Sequence, residues 1–135
     1  PVLCTCSTLG PLADQAGVLR IDRPAMEAAA ACDGEVVVAI CLDSTRTATL
    51  ALFEEIAGPG RARLVLCDAA WPLFEAGDMD GFARAIADAV RPLMAGAGAV
   101  LLAQASMAVA AALLAGECPV VTTPERAARA VLEQG

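Results

Sequence analysis

The segment Cys4-Thr5-Cys6-Ser7-Thr8 places a thiol and two hydroxyls at the end of a short apolar run that begins at Val2. A cysteine at a strand exit stands beside free backbone N–H groups, which favour its thiolate, and a thiolate can take a proton from carbon or return it as a thiol. Cys6 is therefore the candidate acid/base. Cys4 has the same pleat orientation but lies deeper in the run and reads as a core residue. Two further polar clusters follow apolar runs, at Asp43-Ser44-Thr45-Arg46-Thr47 and Gln104-Ala105-Ser106. Hydroxyls and helix N-termini together suit a small carboxylate without a lysine. Taken singly, each of these hydroxyls also fits a cap or turn residue.

The missing residue types narrow the chemistry further. The 135 residues contain no His, no Tyr and no Lys, so all nine basic residues are Arg. A Ser-His-Asp or Cys-His relay lacks its base, a Schiff base lacks its lysine, and His-containing zinc sites lack their imidazole. Cys, Asp, Glu and water remain for proton transfer. The other cysteines lie mostly in apolar runs, such as those ending at Cys41 and Cys67, and read as small buried hydrophobes in a reducing compartment. Cys4 and Cys6 form a C-x-C pair, without the second pair that a four-ligand site needs, so no metal and no cofactor are expected.

A formal charge of -7 disfavours nucleic acid and anionic membranes as partners. No secretory signal is apparent, and a cytoplasmic location is expected. The uncharged run 97–115 approaches the length of a membrane span. Its pattern reads instead as a buried strand, a polar interruption at Gln104 and Ser106, and an Ala-rich helix.

These residues must be positioned by the elements around them. Apolar runs alternate with helical patterns, the signature of an α/β fold with a mainly parallel sheet. Six strands are predicted, at 2–6, 18–21, 35–41, 63–67, 99–103 and 119–122, with helices at 24–32, 45–57, 79–94, 107–115 and 124–133. Asp22, Ser44, Asp78 and Thr123 mark helix starts, and Pro92 should kink or shorten its helix. Gly96-Ala97-Gly98 precedes a strand, so it does not fit a dinucleotide loop, which must follow one. With 58% hydrophobic but only 3% aromatic residues, Ala, Val and Leu must fill the core, which suits layered packing.

The segments 2–10, 20–24, 41–45, 102–107 and 119–124 together resemble the landmarks of the aspartate/glutamate/hydantoin racemase superfamily, in order along nearly the whole chain. The resemblance implies a Rossmann-like, mainly parallel sheet with helices on both faces, part of a two-half architecture with the site in the cleft. It further implies that 1–20 is the last part of a first half, 21–117 the second half, and 118–135 a closing strand and helix returning to the first; the opening units of the family are missing from this sequence. Cys6 falls in the place of the first catalytic cysteine, with Ser7, Thr8, Ser44, Thr45, Gln104 and Ser106 as ligand contacts. Ala105 stands where the second cysteine is expected.

The function implied is a cofactor-independent racemase, isomerase or lyase acting at the α-carbon of a small carboxylate through one cysteine. The alternative is a catalytically inactive carboxylate-binding or regulatory protein of the same fold. A homodimer is the assembly considered.

Overall fold

The computed structural model describes residues 1–134. All six strands form where the apolar runs place them: β1 (Leu3–Cys4), β2 (Leu19–Arg20), β3 (Val36–Ile40), β4 (Ala62–Leu66), β5 (Ala99–Leu102) and β6 (Val120–Thr122). The last four make a parallel sheet in the order β4-β3-β5-β6, while β1 and β2 pair in a separate parallel sheet of two strands. Ile40 pairs with Leu66, Ala39 with Leu102, and Leu102 with Thr122, so the strands finish nearly level. That alignment brings their exits together at one edge of the molecule.

Every residue of β3 and β5 is buried, because helices cover both faces of the sheet. One face packs Val36, Val38, Ile40 and Leu101 against Ala25, Met26 and Ala29 of α2 (Arg23–Ala30) and Leu52 and Phe53 of α3 (Arg46–Ala57). The other packs Val37, Ala39, Val100 and Leu102 against Phe82, Ile86 and Val90 of the helix Met79–Val90 and against Met107 and Ala110. The period-two alternation of β3 thus splits its side chains between two cores. At β6 the strand belongs to this four-stranded sheet through its pairing with β5, and the helix that follows, Thr123–Glu133, packs mainly on α2.

Two short helices lie outside the sequence expectation. One is α1 (Gly10–Gln15), whose Pro11 fits the first turn of a helix. The other is α4 (Trp71–Glu75), too short to show a period, and its Trp71 and Phe74 rings stack at 4.7 Å. The helices after it are α5 (Met79–Val90) and α6 (Thr123–Glu133). Pro92 ends α5, which passes into a 3-10 turn over Arg91–Leu93. The helix expected at 107–115 is a 3-10 run over Ala105–Leu114, and its buried Met107 and Ala110 stand three apart, as that period requires.

Of the four helix-start residues, Asp78 caps with its side chain, accepting from Gly81 N at 2.9 Å. Asp22 is occupied elsewhere. It is 1% exposed, and its carboxylate accepts from Arg20 Nε and Nη2, both at 2.9 Å, while Asp14 accepts from Arg20 Nη1 at 2.8 Å. Burial lowers the guanidinium's affinity for its proton, but the two carboxylates outweigh it and hold the Arg20 pKa above its ordinary value. Gly10 packs where a Cβ would fall on the Arg20 guanidinium, so α1, β2 and the start of α2 are fastened around one cation. Removing one member of a buried pair strands the other charge. Asp22→Ala is expected to lower stability by about 3 kcal/mol, read from the denaturant midpoint; a change within about 0.5 kcal/mol would show that the pair contributes little.

Candidate functional site

Four strand exits are built alike, and those after β1, β3 and β5 share one cavity, whereas the exit of β4, closed by Ala70 N to Cys67 O at 3.1 Å, does not border it. After β1, β3 and β5 the chain turns into a 3-10 segment closed by one hydrogen bond: Leu9 N to Cys6 O at 3.2 Å, Thr45 N to Leu42 O at 3.0 Å, and Met107 N to Gln104 O at 3.0 Å. The leading N–H groups of these turns, on Ser7 and Thr8, Asp43 and Ser44, and Ala105 and Ser106, take no main-chain acceptor among the described residues. A first turn cannot satisfy its own donors, so three sets of N–H groups stand at the exits.

A cavity of about 250 Å³ lies among these turns, lined by Thr5, Cys6, Ser7, Thr8, Leu42, Ser44, Thr45, Gln104, Ala105 and Ser106. All seven residues singled out as site candidates border it. Cys6, Thr8 and Ser44 are exposed, Gln104 and Ser106 are half-buried, and Ser7 and Thr45 are buried. Among the described residues Cys6 is the one ionisable side chain on its wall.

Two of the seven have structural duties besides any ligand contact. The Thr45 hydroxyl donates to Leu42 O at 2.8 Å, tightening the second turn, so its hydrogen is spent. Gln104 crosses from β5 to β3, where its Oε1 accepts from the N–H groups of Cys41 and Leu42. That bridge fixes the second and third turns relative to each other and leaves the amide NH₂ as the donor available to a ligand. The hydroxyls of Ser7, Thr8, Ser44 and Ser106 make no hydrogen bond to protein among the described residues. The sequence does not show this bridge, since a glutamine's partners depend on which strands are adjacent.

Cys41 and Cys67 follow the ends of β3 and β4, and Cys67 N donates to Ile40 O at 2.7 Å. Both are buried and free, as expected of small core residues. Burial, and then the neighbouring Cys67, push the Cys41 thiol up to about 12; burial, and then Asp68, push Cys67 up to about 11. Their ordinary value is 9.0, so above it the unfolded chain sheds protons that the folded chain keeps. Stability is therefore full below about pH 9 and falls as pH rises toward the folded values, by about 1.4 kcal/mol per pH unit for each thiol. With no His, Lys or Tyr present, no other side-chain type except the remaining thiols titrates in that window. Denaturant midpoints measured from about pH 8 to about pH 10.5 should fall steeply, and less so in Cys41→Ala/Cys67→Ala. Equal slopes in the two proteins would refute this origin.

A larger cavity, about 410 Å³, lies between α2 and α6 and is bordered by Arg23, Glu27, Arg126, Arg129 and Glu133. It carries no thiol or hydroxyl among the described residues and lies away from the three turns. Among the described residues no group of three or more His, Cys, Asp or Glu is arranged to hold a metal ion, and no helix is long and apolar enough to cross a membrane.

This fold has a counterpart among solved structures. The fold is racemase-like. It superposes on a glutamate racemase isoform from Bacillus anthracis with a TM-score of 0.66 at 13% identity, over 98% of this chain and 58% of that one. The chain thus spans little more than half the length of that racemase, and at this identity the likeness concerns the fold. No protein-family model matches the sequence, and no curated protein matches it.

Proposed function

We propose that this racemase-like domain is a cofactor-independent enzyme acting at the α-carbon of a small carboxylate, with Cys6 as its single acid/base. The reading rests on one observation: among the described residues Cys6 is the only ionisable side chain on a small cavity otherwise walled by hydroxyls, turn N–H groups, Gln104, Leu42 and Ala105. The turn N–H groups and the hydroxyls of Ser7, Thr8, Ser44 and Ser106 bind the carboxylate. The same donors stabilise the enediolate that forms when charge leaves the α-carbon. The Cys6 thiolate removes the α-proton, or the thiol delivers one, on one face of that carbon.

Ala105 lies on the same cavity and cannot transfer a proton. The chemistry expected is therefore one-sided: isomerisation or loss of a leaving group with protonation from the Cys6 face, rather than two-base racemisation. The same residue also supports a second reading, a carboxylate-binding protein without turnover. Solvent-deuterium incorporation into small carboxylates, followed by NMR, separates the two. Incorporation on one face by the intact protein supports the enzyme; ligand-induced thermal stabilisation with no incorporation supports the binding protein.

A further inference from the structure

We infer that Cys4 and Cys6 form a peroxide-responsive pair in which Cys4 resolves oxidised Cys6 into a reversible disulfide. Cys6 is exposed on the cavity, whereas Cys4 is half-buried at the last residue of β1. The Cys4 thiol is turned toward its neighbour: its Sγ donates to Cys6 O at 3.6 Å. Thr5 and Cys6 lie beyond the β1–β2 ladder, whose final pair is Cys4 with Arg20, so the segment between the two sulfurs can bend without breaking strand register. Residues two apart in an extended chain lie about 6 to 7 Å apart at Cα, near the upper bound that a disulfide spans, so modest bending closes the ring. The other cysteines of the apolar runs differ in kind, because Cys41 and Cys67 are buried with raised pKa values and are poor nucleophiles.

The chemistry balances with hydrogen peroxide as the oxidant. The Cys6 thiolate attacks the O–O bond; an S–O bond forms, the O–O bond breaks and hydroxide leaves, giving a sulfenic acid at Cys6. The Cys4 sulfur then attacks the Cys6 sulfur; the S–S bond forms, the S–O bond breaks, and water leaves with the Cys4 proton. A dithiol reductant reverses the process. The consequence is protection: the site thiol is withdrawn from use but spared the irreversible sulfinic step.

The pair requires only an accessible thiol at Cys6, so its test does not depend on the proposed catalysis. The intact protein treated with hydrogen peroxide is expected to lose about 2 Da, with both thiols in one linked peptide, and to regain them on reduction. In Cys4→Ser, Cys6 should instead gain about 32 Da, reaching the sulfinic state roughly tenfold faster than in the unsubstituted protein. Cys4→Ala, with the fold checked by circular dichroism, guards against an effect peculiar to serine. Sulfinic acid forming at Cys6 equally fast with and without Cys4, or a disulfide joining Cys6 to any other cysteine, would overturn the assignment.

Discussion

Cys6→Ala is expected to reduce solvent-deuterium incorporation into a responsive small carboxylate by about 10³-fold, equivalent to about 4 kcal/mol of transition-state stabilisation. The size follows from the cavity's composition: among the described residues no second ionisable side chain borders it to take over the proton. Fold and ligand affinity should survive, since Cys6 is exposed and the anion donors lie on Ser7, Thr8 and the other two turns. The measurement is a split one, exchange by NMR and binding by thermal shift on the same samples. Loss of binding together with exchange would make Cys6 a structural residue. Undiminished exchange would remove it from the mechanism.

Ala105→Cys should have the opposite character, a gain. Ala105 opens the third turn, beside donors that would favour a thiolate, and borders the same cavity as Cys6. A thiol there supplies a second acid/base, and the substituted protein is expected to exchange the α-proton of the enantiomer that the natural one leaves untouched, by about 10²-fold above background. Chiral chromatography of a single enantiomer would then show both. The side chain is half-buried and grows by one sulfur atom, a change the open cavity accommodates. A folded Ala105→Cys protein that still works on one face alone would mean that Ala105 is not placed to reach the reacting carbon, and the one-sided reading would lose its explanation.

Much of this protein is legible in its sequence because the informative signals are local. The alternation of apolar strands and helices places six strands and the α/β class, and the polar residues that follow Leu3–Cys4, Val36–Ile40 and Ala99–Leu102 mark three exits. Absence was equally informative: without His, Lys or Tyr, only Cys, Asp, Glu and water remain for proton transfer. Helix starts were less legible. Ser44 and Thr123 read as caps, yet Thr45 and Thr122 occupy those positions, and Asp22 serves Arg20 instead. A short polar side chain has several neighbours within reach, and only the folded chain decides among them.

Tertiary structure decided everything that depends on which strands are neighbours. The order β4-β3-β5-β6 puts Leu42 beside Gln104, sixty-two residues apart in sequence, and thereby makes a residue expected to contact ligand also the brace between two turns. The same order sets Cys41 next to Cys67 and drives their thiols up. Cys6 itself was identifiable from its own segment, because strand exit, hydroxyls and turn are all encoded within a few residues. That it shares a cavity with Ala105, and with no other ionisable group among the described residues, required the fold, because β3–β5 pairing brings the second and third turns level while the first comes from the separate β1–β2 sheet.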